Sequence, residues 1–221
     1  MNDQRPRQIL LTGATSGMGQ EVARLLRERG DELWAVARDA SKVVAPDHVL
    51  EMDLEQPIRL CPTELPDELD AVVHCAGVIA LGSVAEAPAA AWERQFRVNL
   101  MAAALITQAA LPALRRAKGS VVFVNSGAGL RVSAGWSAYA ASKFGLRALA
   151  DGLREEEKDL RVTSIFPGRT ATPMQESVHA QEGTAYDPER WIQPETVARK
   201  IVEILDLPQD AVVPELVIRP R

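Results

Sequence analysis

Short, unbroken apolar runs alternate along this chain with longer segments of helical periodicity, and few folds accommodate that pattern. QILLTG, ELWAVAR, HVLEMDL, LDAVVHCAG, GSVVFVNSG and LRVTSIFPG read as strands. A strand that is apolar at nearly every position has no solvent face, so its sheet is covered on both sides, the condition of a parallel sheet. Helical patterns at Met18–Arg29, Ala89–Arg116 and Trp136–Lys158, with a shorter one around Pro57–Leu65, supply the crossovers. A last helix near Pro194–Leu207 precedes a seventh strand, VVPELVIRP. The expected architecture is α/β: one doubly wound, seven-stranded parallel sheet with helices on both faces, in a single domain over 1–221. Arg169–Gln193 is polar, contains Pro and Gly, and is expected to be irregular, a mobile lid over a site.

With 47% hydrophobic residues the chain can fill both faces of such a sheet, and its formal net charge of −5 argues against broad binding to nucleic acid or anionic membrane. A small-molecule partner is expected. Cys61 and Cys75 are too few for a disulfide scaffold. The chain opens on polar MNDQRPRQ, and no apolar run comes near the roughly 18 residues of a membrane span, which places the expected location in the cytoplasm. The three histidines stand in no ligand spacing, so no metal site is expected.

The first strand runs straight into Thr12-Gly13-Ala14-Thr15-Ser16-Gly17-Met18-Gly19, after which an amphipathic helix begins. In that context Gly13 turns the chain, Gly17 lets backbone N–H groups approach a pyrophosphate and Gly19 lets the helix pack closely on the strand, as in a Rossmann dinucleotide-binding fold. Tight packing without a ligand is the alternative. The second strand ends in Arg38-Asp39, where a guanidinium suits the 2′-phosphate of NADP, or is a solvated charge paired with Asp39. Asp53 closes the third strand and either accepts from an adenine amino group or caps the next segment of the chain.

Tyr139 and Lys143 lie one helical turn apart on one face. An ammonium near a phenol favours the phenolate, so the pair makes a tunable proton relay; a surface contact is the alternative. Ser126 ends the fifth strand at the carboxyl edge of the sheet, where its hydroxyl can meet a substrate carbonyl. Asn99 comes after the fourth strand in a helix, as a relay member or as a satisfied core amide.

Together these residues resemble the short-chain dehydrogenase/reductase family, of the classical type. The likeness covers the TGATSGMG turn, Asp53, Cys75-Ala76-Gly77, Asn99, Ser126, YAASK from Tyr139 to Lys143, and Pro167-Gly168 followed by Thr172. It implies that Tyr139 exchanges the proton, Ser126 orients the carbonyl, Lys143 holds the nicotinamide ribose and lowers the phenol pKa, and Asn99 holds a water in the relay. It further implies that Gly13, Thr15, Ser16, Gly17, Met18, Gly19, Arg38, Asp53, Leu54, Cys75, Ala76, Gly77, Tyr139, Lys143, Pro167, Gly168, Thr170 and Thr172 bind NADP(H). PELVIRP with Arg38 is similar to the NADP-linked branch that includes serine and 3-hydroxy acid dehydrogenases and sepiapterin-type reductases.

Two departures stand out. His74-Cys75-Ala76-Gly77 replaces the family's Asn-Asn-Ala-Gly, with Cys75 read as a small packed residue and His74 as a core histidine. Arg169 and Thr170 stand where the family often has apolar residues. The expected activity is hydride transfer between NADP(H) and a small carbonyl or alcohol, by a homodimer or homotetramer. The competing reading is a dinucleotide-sensing or interaction protein on the same fold, which gives the intact Ser126, Tyr139 and Lys143 no task.

Overall fold

The computed structural model describes residues 5–44 and 46–221, so part of the polar opening segment lies outside the described residues. Seven strands form one parallel sheet: β1 (Gln8–Thr12), β2 (Glu32–Ala37), β3 (His48–Glu51), β4 (Ala71–His74), β5 (Ser120–Val124), β6 (Arg161–Pro167) and β7 (Glu215–Ile218). Their order in space is β3-β2-β1-β4-β5-β6-β7. The direction of winding therefore reverses between β1 and β4, and a crevice opens there at the carboxyl ends of the strands.

The unbroken apolar runs have their cause in two separate cores. Ile9 and Leu11 of β1 face α1 (Gly17–Glu28) and α6 (Pro194–Leu205), through Val22, Leu26, Val197 and Ile201. Leu10, between them, faces the other way, into a core with Ile106, Ala110, Leu114 and Phe123. Alternate residues of one strand thus point into opposite cores, and polar alternation is impossible. The second core is closed by α3 (Ala102–Ala117) and α4 (Ser137–Glu156), through Leu146 and Leu153.

Three expectations are corrected. The Ala89–Arg116 pattern is not one α-helix: α2 (Ala89–Phe96) passes through a π-helical turn at Arg97–Met101 before α3. The combined stretch, Ala89–Ala117, is long and apolar enough to cross a membrane by length and composition, and 56% of its most apolar window is buried inside the fold. The segment around Pro57–Leu65 holds only a 3-10 turn at Pro62–Glu64, because neither Pro57 nor Pro62 can donate a helical hydrogen bond. Arg169–Gln193 is not irregular. It contains α5 (Pro173–Glu182), capped by the Thr172 hydroxyl on the Gln175 N–H and ended by Gly183 in the left-handed conformation.

Candidate active site

β1 delivers the chain into a turn whose close contacts leave no space for side chains. Gly13 has φ +75°, and a Cβ there would lie 2.7 Å from the Ala76 backbone nitrogen. A Cβ on Gly19 would overlap the carbonyl oxygen of Gly13. α1 begins at Gly17 with Ser16 at its N-cap, yet the Ser16 side chain makes no capping bond and the first turn holds no acid. The positive end of the helix dipole is left without an internal anion, at a cavity of about 230 Å³ lined by Gly13, Thr15, Ser16, Gly17, Met18 and Gly19. Leu54, Cys75, Ala76 and Gly77 line the same cavity.

Arg38 stands at the rim of this cavity with its side chain 69% exposed, and its only ionic neighbour among the described residues is Glu55, at 4.0 Å. It is not paired with Asp39, which instead accepts from the Ser41 backbone N–H and hydroxyl. Glu55 is held by Arg94 of α2 at 2.7 Å, and that guanidinium keeps its carboxyl below the usual range. Arg38 is left as a loosely held guanidinium at the rim of the cleft. Asp53 caps the adjoining turn through the Glu55 N–H, so its capping role holds, while its side chain also lines the cavity. An uncapped helix start, a glycine cradle and a loosely held guanidinium fit a dinucleotide carrying phosphate groups.

Ser126, Tyr139 and Lys143 converge at the carboxyl ends of β4 and β5. The Tyr139 ring packs edge-on against Trp136, 6.0 Å between centroids, and both Tyr139 and Ser126 line a second cavity of about 930 Å³. The Ser126 hydroxyl accepts from the Ala128 N–H at 3.1 Å, which orients its own O–H as a donor. Burial pushes the Tyr139 phenol up to about 12, with Ser126 pulling the other way. Lys143 is buried, donates to the Val124 carbonyl at 3.0 Å, and is pushed down to about 8 by desolvation. Its Nζ lies 5.9 Å from the centre of the Tyr139 ring and 3.8 Å from where a Gly77 side chain would begin. Burial is thus the larger influence on the phenol here, and Ser126 is the group that lowers it.

Asn99 is the satisfied amide. Its Oδ1 accepts from the Val78 N–H at 2.8 Å, and its Nδ2 donates to the Val78 carbonyl and to Ser142 Oγ at 2.9 and 3.0 Å. Both amide protons are spent, so the side chain is a clamp on the exit of β4 rather than a donor to a relay water. The Ser142 hydroxyl passes the link on to the Tyr139 carbonyl at 2.7 Å. Asn125, which no motif in the sequence singles out, ties the other side: it accepts from the Ser126 N–H and donates to the Lys143 carbonyl. The turn of α4 carrying the Tyr–Lys pair is thus fastened to both neighbouring loops.

The remaining residues are spread less evenly. Pro167, Gly168 and Thr170 line the larger cavity, while Thr172 lines both. The Thr170 hydroxyl is spent on the Gly168 carbonyl at 3.0 Å, and that of Thr172 on the Thr170 carbonyl and the α5 cap. Arg169 turns into a two-pronged pair with Glu182, at 2.8 and 2.7 Å, between the rings of Trp136 and Trp191. Cys75 packs against the core and burial pushes its thiol up to about 12; His74 is buried on Thr107 and Phe123, and burial pushes it down to about 3. Both are packed side chains, as expected. Among the described residues no three His, Cys, Asp or Glu side chains gather as a metal site requires. Arg94 and Arg219 line the cavities without having been expected there. No local motif marks them, because they arrive from distant elements.

The sequence model of the family described as short chain dehydrogenase matches residues 7–183. YciK of Escherichia coli, an uncharacterised oxidoreductase, is 34% identical over 197 residues, 79% of this chain and 77% of that one. An uncharacterised oxidoreductase of Schizosaccharomyces pombe is 31% identical over 182 residues, 77% of this chain and 73% of its own. Among solved structures, a short chain dehydrogenase from Salmonella enterica superposes with a TM-score of 0.86 at 28% identity, covering 96% of each chain. One from Escherichia coli complexed with NADPH gives 0.85 at 27%, covering 98% of this chain and 97% of that one. This chain belongs to the short-chain dehydrogenase family of oxidoreductases.

Proposed function

We propose that the protein is an NADP(H)-dependent enzyme that interconverts a small carbonyl compound and its alcohol, with Tyr139 as the proton donor and acceptor. The observation that carries this is the placing of Tyr139 and Ser126 in the wall of one cavity, with Lys143 between them and the glycine-lined cleft next to it. When bound, NADP(H) supplies or takes up the hydride at the substrate carbon. The protein's residues do the rest. In reduction, the Ser126 and Tyr139 hydroxyls donate to the developing alkoxide, and the phenol then gives up its proton to form the alcohol. Lys143 is the cation that stabilises the phenolate left behind, and Asn99, Ser142 and Asn125 act as positioning residues for that turn. Incubation with NADPH and a panel of ketones and aldehydes tests the reading: NADPH oxidation supports it, and tight binding without turnover on any carbonyl would favour the sensing protein.

The coenzyme preference rests on Arg38. Arg38→Asp is expected to weaken NADPH binding about a hundredfold, because a charge-assisted hydrogen bond is lost and a repulsion added, while NADH binding changes much less. Titration by fluorescence with both coenzymes is the check, and an unchanged NADPH affinity would remove Arg38 from the site.

The buried lysine sets the pH dependence. Reduction uses the phenol in its protonated form and Lys143 as ammonium; with Lys143 near 8 and Tyr139 near 12, the lysine proton is lost first as pH rises. Reduction should be level below about pH 8 and decline above it, and oxidation, which needs the phenolate, should rise with pH. A kcat/KM profile for reduction that stays flat to strongly alkaline pH would exclude a titrating lysine.

A further inference from the structure

We propose that the substrate of this site carries an anionic oxygen group, a carboxylate or phosphate, which Arg131 and Arg219 receive a few bonds from the reacting carbonyl. The inference rests on the carbonyl-reducing reading and adds the class of substrate.

The charge of the larger cavity does not cancel. Three arginines line it, Arg131, Arg169 and Arg219, against the single carboxylate of Glu182. Arg169 consumes that carboxylate with both prongs. Among the described residues, Arg131 and Arg219 have no carboxylate within 4.0 Å, so two positive charges remain in the pocket of a chain whose net charge is −5. Such a local reversal of sign draws an anion against the overall charge.

Both cations lie close to the turn that carries Ser126, Arg131 just after it in sequence and Arg219 arriving from the end of β7. Arg219 Nη1 would lie 3.3 Å from a side chain on Gly127, the next residue, and it is steadied by donating to the Phe166 carbonyl at 3.0 Å. The backbone N–H of Arg131 donates to the Gly127 carbonyl at 3.1 Å, which fixes where its side chain starts. A pocket whose one acid is already consumed, and which keeps two guanidinium groups without a carboxylate, suits a ligand rich in acceptors. Both arginines are exposed residues, reachable by a ligand in the cavity they line.

The test uses matched pairs. Pyruvate, acetoacetate and levulinate are each compared with their methyl esters, and dihydroxyacetone phosphate with dihydroxyacetone, by NADPH oxidation. Malonate and inorganic phosphate are titrated in parallel onto the protein loaded with NADP⁺. We expect at least one anion to exceed its neutral partner about tenfold or more in kcat/KM. Arg131→Gln and Arg219→Gln should each lower that ratio about tenfold and weaken malonate or phosphate binding, with the neutral partner affected far less. The carboxylate and phosphate arms separate the two sources. Equal rates for acid and ester, or a ratio that neither substitution moves, would overturn the proposal. Turnover of neutral ketones with no anion binding also overturns it and leaves the carbonyl-reducing reading intact. Anion binding that both substitutions weaken, with no carbonyl turned over, would uphold the anion site and reject that reading, and no binding with no turnover rejects both.

Discussion

Tyr139→Phe is expected to lower carbonyl reduction by at least about a thousandfold while leaving the fold and coenzyme binding nearly unchanged. Loss of a general acid removes about 10² to 10⁴ in rate, and loss of a donor to the oxyanion a further 10² to 10³ where the same hydroxyl serves both. Little opposes this on the structural side. The ring stays packed on Trp136 and beside Ala128 and Ala140, and the hydroxyl's side-chain partner is Ser126, itself a residue of the site. Steady-state kinetics with a verified substrate, together with NADPH titration and a thermal melt, would separate these effects. A variant retaining most of the rate would mean that the proton comes from elsewhere, with Ser126 the next group to examine.

Gly19→Ala is expected to be the most damaging single methyl in the molecule. Alanine in place of glycine inside a helix ordinarily gains about 1 kcal/mol, so α1 by itself would favour the change. The added Cβ, however, would overlap the carbonyl oxygen of Gly13 and approach Cys75 Cβ to 3.1 Å. Its neighbours include backbone, which has no rotamer to escape into, and overpacking of this kind costs about 1 to 3 kcal/mol. The turn must therefore move away from the helix, carrying the anion-binding N–H groups with it. Expected results are a net loss of up to about 2 kcal/mol in urea unfolding and a loss of NADPH affinity of about a hundredfold or more. A variant that is more stable and binds as before would show that the turn can widen without harm.

The strands were legible because burial on both faces writes them as unbroken apolar runs, and Leu10 and Leu11 show why: they belong to different cores. Ser126, Tyr139 and Lys143 stand out in the sequence because the first follows a strand end and the other two lie one helical turn apart. What escaped had other causes. Helix α5, PMQESVHAQE, is polar and weakly amphipathic, so periodicity does not reveal it, although Thr172 with Gln175 three residues later, and Pro173 between them, is a helix-start signal. The π turn around Asn99 answers to Val78 and Ser142, far away in sequence, and no local pattern could announce it. Arg219, and with it the gathering of three arginines in the larger cavity, is the clearest case. Arg131 comes after β5, Arg169 after β6 and Arg219 after β7, so only the lateral order of strands brings them together.

That lateral order also divides the labour of the chain. The smaller cavity draws its walls from residues 13–98 with Thr172, Pro173 and Met174, and the larger from residues 125–220 with Met18 and Ile79. If the smaller cavity takes most of the coenzyme and the larger takes the substrate, as proposed, the two tasks rest largely on different halves of the polypeptide, which meet at a seam of a few side chains around Thr172 and Met174. Exchange of the later half between relatives can redirect what is reduced while the earlier half continues to present the same coenzyme, provided the residues of the seam travel together.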